Sequence, residues 1–235
     1  MVGRLPFAFG LAMVGAALCC HVPRVAEAEP KDGTRFVVAA IGDSLTDVAA
    51  NGGLYLRYLK ERCPESRFES FGKGGEMVNQ MRRRFVRDVF ERNGSGTEKY
   101  THIIVFGGVN DLYSDLTAKR TIPKIESDLS AMYATARERG AKVVAITVTP
   151  WGGYTRYFNE ARARTTDELN RWILAEGQRG AVDHAVDAHP LLSCGDPNRL
   201  CERYAVPFKD GLHFGPEGHK RLAEALAQGV FRQCR

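Results

Sequence analysis

Two short segments near opposite ends of the 235-residue chain contain the residue types of a nucleophilic catalyst. Ser44 follows an apolar run that ends at Gly42, and Asp210 and His213 lie three residues apart near the carboxyl terminus. A serine hydroxyl needs a base within hydrogen-bond reach, and the base needs a partner that fixes its tautomer. Asp210 and His213 meet locally on a tight turn, which leaves the other imidazole nitrogen for Ser44. The pattern predicts Ser44 as nucleophile, His213 as base and Asp210 as the group that orients it.

The surroundings of Ser44 allow a second interpretation. Gly42 permits a sharp exit from a strand, so Ser44 would lie just past the carboxyl end, where open α/β sheets bind ligands. An Asp43-Ser44 pair after a strand is also a common helix N-cap, and the segment alone favours that reading. The Asp210-x-x-His213 pair shifts the balance toward catalysis.

A tetrahedral oxyanion requires hydrogen-bond donors aimed at it, and three are available. They are the Ser44 backbone N–H, a glycine N–H in the loop 72–75, and the side-chain amide of Asn110 after the third predicted strand. A phosphate-binding loop is the alternative for residues 72–75, but the Walker pattern is absent because no Ser or Thr follows Gly72-Lys73.

Apolar runs alternate with amphipathic stretches along the chain, and this pattern predicts the strands and helices that position the polar motifs. Apolar runs bounded by turn residues are typical of strands buried on both faces. The predicted strands are 36–41, 67–71, 102–106, 142–148 and 182–188, and the predicted helices are 54–62, 76–92, 122–139, 166–176 and one from 217. The order favours a three-layer α/β/α domain with a five-stranded parallel sheet in the order 2-1-3-4-5. All the polar motifs then meet at one edge of the sheet.

A long connection separates the fourth strand from the next helix, whose Thr165-x-x-Glu168 start resembles a capping box. It contains Trp151 and Tyr154, which would stack on a sugar ring or line an acyl pocket. Loops of this length with glycines and aromatic residues often bind ligands. A tethered surface excursion is the equal alternative.

The first 28 residues have the pattern of an export signal. Arg4 precedes an apolar run, residues 7–20, and Ala26-Glu27-Ala28 fits the small-x-small cleavage rule. The run is short for a bilayer span, so the mature chain, residues 29–235, is predicted to be one domain without an integral membrane segment, in the periplasm or outside the cell. Acylation at Cys19 or Cys20 is the lipoprotein alternative.

Cysteine use agrees with export, because four cysteines remain after cleavage. Cys194 and Cys201 flank a turn-rich loop and are paired locally, which joins Cys63 to Cys234 by elimination. The two other pairings stay open. Zinc is the rival explanation, but no Cys-x-x-Cys or His-x-x-x-His spacing supports it.

Charge and composition argue against several partners. Removal of residues 1–28 takes away two basic residues and one acidic residue, which lowers the net charge from +5 to +4. The densest basic cluster lies on a predicted helix, and a solvated face explains it better than nucleic-acid binding because no recognition motif accompanies it. That cluster consists of Arg82, Arg83, Arg84 and Arg87. No metal or organic cofactor is indicated: the remaining histidines lack ligand spacing and are interpreted as structural or surface residues.

Four segments together resemble the four sequence blocks of the SGNH (GDSL) hydrolase family, in the family's order. They are Gly42-Asp43-Ser44-Leu45, the loop 72–75, Gly108-Val109-Asn110-Asp111 and Asp210-Gly211-Leu212-His213. The resemblance implies a secreted serine hydrolase of the esterase, lysophospholipase or thioesterase type, with Gly75 and Asn110 completing the oxyanion hole.

The second block departs from the family pattern, which commonly reads Asn-x-Gly-x-x-Gly-Asp-Thr. Ser70 replaces the Asn, and Glu76-Met77 replaces Asp-Thr. Alignment on the last glycine selects Gly75 as the donor, with Gly72 and Gly74 still open. A carbohydrate O-deacetylase acting on acetylated glycans and a non-catalytic secreted binding module are the rival functions.

Overall fold

The computed structural model describes Met1, residues 33–91 and residues 98–234. The predicted export signal, with Cys19 and Cys20, lies outside the described residues. The described residues from 33 to 234 belong to one compact unit.

Five parallel strands form the central sheet, and their order is β2-β1-β3-β4-β5, as predicted. The strands are β1 (Val37–Gly42), β2 (Arg67–Gly72), β3 (His102–Phe106), β4 (Lys142–Ile146) and β5 (His184–Val186). Every residue of β1 is buried, because Val37, Ala39 and Ile41 face one apolar cluster while Val38 and Ala40 face the other. A central strand buried on both faces is the arrangement that its continuous apolar run predicts.

Helices cover both faces of this sheet. The helices are α1 (Leu54–Arg62), α2 (Val78–Phe85), α3 (Val109–Tyr113), α4 (Ile122–Glu138), α5 (Glu160–Gln178), α6 (Ala188–Leu192), α7 (Glu202–Ala205) and α8 (Pro216–Gly229). A π-helical turn, Val86–Glu91, continues α2. Side chains of α2, α4 and α5 build one core, and those of α1, α6 and α8 build the other.

The start of α5 differs from the sequence prediction. The helix begins at Glu160, and the N-cap is Asn159, whose side chain accepts a hydrogen bond from the Arg162 N–H. The predicted capping box at Thr165 is wrong. Thr165 and Thr166 lie inside the helix, where their hydroxyls donate to the Arg162 carbonyl. The connection after β4 is therefore shorter than predicted.

Two disulfides tie the chain, and they are the pairs expected from the sequence. Cys63, after α1, is bonded to Cys234, and Cys194 is bonded to Cys201. The second bond lies at a small antiparallel hairpin, β6 (Ser193–Cys194) and β7 (Asp196–Leu200), where the sequence predicts only a turn-rich loop. Among the described residues, no helix is long and apolar enough to span a bilayer.

Candidate active site

Ser44 lies in a tight turn at the carboxyl end of β1. The Asp43 carbonyl accepts hydrogen bonds from the Thr46 and Asp47 N–H groups at 3.0 and 2.9 Å, which reverses the chain directly after the strand. Gly42 is required at the strand end, since a Cβ there would lie 2.6 Å from the Phe106 carbonyl oxygen of β3. The turn leaves Ser44 half-buried at the carboxyl edge of the sheet.

His213 and Asp210 form a second turn, residues 210–213, which we call the base turn. Asp210 Oδ1 accepts from the Leu212 and His213 N–H groups at 2.9 and 2.8 Å, and Asp210 Oδ2 lies 2.6 Å from His213 Nδ1. Gly211 has a φ of +79°, and a Cβ there would lie 2.0 Å from the Gly153 carbonyl carbon. A glycine is therefore needed both for its backbone angle and for close approach to the loop after β4.

The two ends of the chain meet at this point. Ser44 Oγ lies 2.8 Å from His213 Nε2, across 169 residues of sequence. Because Nδ1 faces a carboxylate, it carries the proton in the neutral ring, and Nε2 is left to accept from the Ser44 hydroxyl. The geometry is that of a hydroxyl, an imidazole and a carboxylate in a line.

The charge on Asp210 suits this arrangement. Partial burial alone would raise the pKa of Asp210, but hydrogen bonds from the His213 side chain and from the His213 and Leu212 N–H groups outweigh it and lower the pKa. Asp210 is therefore a carboxylate at neutral pH and favours a proton on Nδ1 of His213.

Hydrogen bonding distinguishes the three glycines that the sequence left open as oxyanion donors. The Gly72 N–H is directed at Ser70 Oγ, at 3.3 Å, and the Gly74 N–H donates to Asp47 Oδ2 at 2.9 Å. Within the described part of the chain, the Gly75 N–H has no acceptor. Gly75 has a φ of +77°. These contacts leave Gly75 as the glycine whose N–H is available to a ligand.

Asn110 lies in the first turn of α3, directly after β3, and is 4% exposed. Its Nδ2 donates to the Glu76 carbonyl at 2.9 Å, which uses one of the two amide hydrogens and leaves the other. The Ser44 N–H likewise has no acceptor in residues 33–91 and 98–234. We call Ser44, Gly75 and Asn110 the donor wall.

Two buried carboxyl groups, those of Asp43 and Asp111, adjoin Ser44 and Asn110 in the chain. Asp111, next to Asn110, is fully buried; it accepts from the Val78 N–H at 2.8 Å and from Arg120 Nε at 2.6 Å. Asp43 is 1% exposed and accepts from the Leu45 N–H at 3.0 Å. Burial raises the pKa of Asp43 to about 7, with the neighbouring Asp111 carboxylate adding to the effect.

The two aromatic residues that the sequence selects in the loop after β4, Trp151 and Tyr154, differ in burial. Trp151 is fully buried; its ring packs edge-on against Phe158 and its Nε1 donates to Thr166 Oγ1 at 3.0 Å. The expectation that Trp151 binds substrate is wrong, because this side chain belongs to the core. Tyr154 is half-buried and packs against Tyr113 of α3, with ring centroids 6.1 Å apart.

Sequence reasoning also missed Arg84. The arginine cluster was interpreted as a solvated face, and that prediction is wrong for Arg84, which is 4% exposed. Its position three residues after the buried Met81 and beside the buried Phe85 places it on the apolar side of α2. An arginine inside an apolar stripe, four residues before Asp88, is the signal that identifies it.

The fold and the site together define a family. Residues 40–221 match the model of the GDSL-like Lipase/Acylhydrolase family, and the chain belongs to that family. It is a hydrolase that acts on ester bonds. No curated protein sequence matches the chain significantly.

Solved structures share the architecture. A GDSL-like lipase from Bacteroides thetaiotaomicron aligns with a TM-score of 0.66 at 19% identity, over 82% of this chain and 86% of that chain. A catalytic mutant of an acetylxylan esterase from Geobacillus stearothermophilus aligns with a TM-score of 0.66 at 20% identity, over 87% of this chain and 99% of that chain. At these identities the similarity establishes the fold.

Proposed function

We propose that this protein is an exported serine esterase that works through an acyl-enzyme on Ser44. One observation carries the proposal: Ser44 Oγ lies 2.8 Å from His213 Nε2, at the opposite end of the chain, and His213 Nδ1 lies 2.6 Å from Asp210 Oδ2 in the same turn. A structural role for Ser44 as an N-cap would not require an imidazole, nor a carboxylate behind it.

In the proposed reaction, His213 Nε2 takes the Ser44 proton as Oγ attacks the ester carbonyl carbon. The tetrahedral oxyanion receives hydrogen bonds from the Ser44 N–H, the Gly75 N–H and the Asn110 amide. His213 then gives its proton to the leaving alcohol oxygen as the carbon–oxygen bond breaks. Water, activated by the same imidazole, hydrolyses the acyl-enzyme. Asp210 remains ionised throughout and stabilises the imidazolium.

Labelling by a fluorophosphonate tests the nucleophile. We expect stoichiometric modification at Ser44, located by peptide mass spectrometry, and none in Ser44→Ala. A panel of p-nitrophenyl esters of increasing acyl length, with Ser44→Ala as the blank, then measures the hydrolysis. A folded wild type that is neither labelled nor active would instead indicate a non-catalytic binding module.

A second candidate function is removal of acetyl groups from glycans. It is favoured by a cluster of three tyrosines, Tyr113 on the same short helix as Asn110 and Tyr154 and Tyr157 in the loop after β4, which pack together with centroids 4.9 to 6.1 Å apart. The three rings are partly exposed, which suits contact with a sugar ring, and an acetylxylan esterase shares the fold. Assay of acetylated xylan beside the ester panel separates the two, since a deacetylase is expected to release acetate from xylan and to lose activity beyond butyryl esters.

Export is part of the proposal, with residues 1–28 as the cleaved signal and residues 29–235 as the mature domain. Two disulfides within one domain support an oxidising compartment. Amino-terminal sequencing of protein recovered from the culture medium or periplasm tests it: a mature terminus at Glu29 is expected, whereas an acylated Cys19 or Cys20 would indicate a lipoprotein.

A further inference from the structure

Arg84 is a buried cation in a cluster of exposed ones. Its side chain is 5% exposed, against 50% for Arg82 and 61% for Arg87. Arg83 is also exposed. Burying a guanidinium destabilises a protein unless its N–H donors are hydrogen-bonded and its charge is paired. The contacts of Arg84 therefore show what its burial achieves.

Three of those contacts are with residues in the segments that carry the donor wall. Arg84 Nη2 donates to the Phe71 carbonyl at 2.7 Å and to the Gly42 carbonyl at 3.3 Å, and Nε donates to Glu76 Oε2 at 2.6 Å. Nη1 lies 3.5 Å from Asp88 Oδ2, one helical turn along. A single side chain therefore spans the ends of two strands and the residue after the glycine loop.

Each residue that Arg84 contacts is linked to one residue of the donor wall, either along the chain or by a hydrogen bond. Gly42 is two residues before Ser44, and Phe71 leads into the loop 72–75. Glu76 directly follows Gly75, and its carbonyl oxygen holds the Asn110 side chain at 2.9 Å. The three donors come from separate segments. The Arg84 guanidinium is bonded to Gly42 and Phe71, which precede Ser44 and Gly75 in the chain, and to Glu76, whose carbonyl holds the Asn110 side chain.

We propose that Arg84 is a positioning residue that sets the spacing of Ser44, Gly75 and Asn110. A guanidinium is planar and presents five N–H donors in a rigid fork, which suits it to hold two carbonyls and a carboxylate at once. A lysine ammonium keeps the charge but lacks that fork. Arg84 touches no reacting atom, so it acts only through the segments it holds.

The same contacts explain the departure in the second sequence block. This chain has Glu76-Met77 where the family commonly has Asp-Thr. The longer Glu76 side chain reaches Arg84, while its main chain reaches Asn110. Glu76 and Arg84 thus form one support for the oxyanion site, which rests on the proposed function of Ser44 as nucleophile.

Steady-state kinetics on p-nitrophenyl acetate tests the positioning role. Arg84→Met is expected to lower kcat about 100-fold, the size of the loss of one oxyanion donor, with KM changing less than about twofold. Arg84→Lys is expected to lower kcat about tenfold, because the charge is kept and the fork is lost. Arg83→Met, one residue away and exposed, is the matched control and should behave as wild type.

Two-dimensional ¹H–¹⁵N NMR measures the amide chemical shifts of the donor wall and does not depend on catalytic activity. We expect the Gly75 backbone amide and the Asn110 side-chain amide resonances to move in both Arg84 variants and to stay in place in Arg83→Met. If Arg84→Met does not fold, Arg84→Lys decides the question. Folded Arg84 variants with wild-type kcat, or with unmoved resonances, overturn the proposal. A wild type that hydrolyses no ester refutes the proposed function separately, and the resonances still decide the positioning role.

Discussion

The donor wall and the base turn meet at one serine, but they are held in different ways. Buried long-range contacts hold the donor wall: Arg84 links the ends of β1 and β2, and Asp111 links α3 to α2 and Arg120. The base turn is held by hydrogen bonds within four residues, and Asp210 and His213 have side chains 36% and 33% exposed. The donor wall is thus assembled by contacts between distant segments, whereas the Asp210–His213 pair is formed mostly by hydrogen bonds within its own turn.

The largest expected effect falls on the base turn. His213→Ala removes the group that we propose takes the proton from Ser44, so we expect kcat/KM for p-nitrophenyl acetate to fall about 10⁴-fold or more. Thermal unfolding should change little, because the His213 side chain is partly exposed. A variant with more than about a tenth of wild-type activity would show that another group acts as the base.

The next effect falls on the donor wall. Asn110→Ala removes one amide donor, and the expected loss in kcat is about 10²- to 10³-fold, with little change in KM. Fluorophosphonate labelling should slow in parallel, since that reaction also places an oxyanion in the site. An unchanged kcat would exclude Asn110 from the oxyanion site.

A smaller effect tests the close approach of the base turn to the loop after β4. Gly211→Ala would place a Cβ 2.0 Å from the Gly153 carbonyl carbon, so the turn must shift and carry His213 away from Ser44. We expect a loss of about tenfold or more in kcat, since small misplacements at a catalytic group are costly.

Gly195→Ala is the matched control for that variant. Gly195 also has a φ of +79°, but a Cβ there meets nothing within 4 Å. It should lower the stability by about 1 to 2 kcal/mol from backbone strain alone and leave kcat unchanged. Equal kinetic effects of the two variants would refute the role of the Gly153 contact.

The last comparison concerns the pH dependence of stability, which has opposite signs in the two regions and is not expected to alter the catalytic geometry. Burial raises the pKa of Asp43 from 3.8 to about 7, so its stabilising contribution is present below about pH 4 and is lost as the pH rises through 7. The pKa of Asp210 is lowered, so its contribution is present above its unfolded value and is lost only in acid.

Chemical denaturation at several pH values measures both contributions. The unfolding free energy of Asp43→Asn relative to wild type should rise by a few kcal/mol between about pH 4 and 8. For Asp210→Asn the difference should be flat over that range and change only in more acidic solution. A flat Asp43→Asn difference would show that the carboxyl is not desolvated as its burial indicates.

Apolar periodicity and turn residues correctly predicted those helices and strands whose bounds depend on residues close by in the sequence. Helix α1 has the predicted bounds, and β3 does as well, because a continuous apolar run between polar residues has few alternatives. The start of α5 was missed, since the cap at Asn159 competes with the stronger Thr165-x-x-Glu168 pattern. The tertiary contacts of Trp151 with Phe158 and Thr166 favour the earlier start.

The residues of the candidate site also differ in whether the local sequence identifies them. Asp210 and His213 were identifiable from spacing alone, because an i, i+3 pair on a glycine turn meets by local geometry. Arg84, Glu76 and Asp111 were not, since their partners lie on other strands and helices. In a linear sequence, a buried arginine within Arg-Arg-Arg resembles its exposed neighbours.

The amino-acid sequence by itself determined the order of strands and helices, the local Asp210–His213 pair and the residue types of the donors, because each depends on neighbours within one turn or strand. Only the tertiary structure decided that Ser44 Oγ meets His213 Nε2 across 169 residues, that Gly75 is the glycine with an available N–H, and that Trp151 is core. Those outcomes depend on which segments pack together, and packing is a property of the whole chain rather than of any stretch of it.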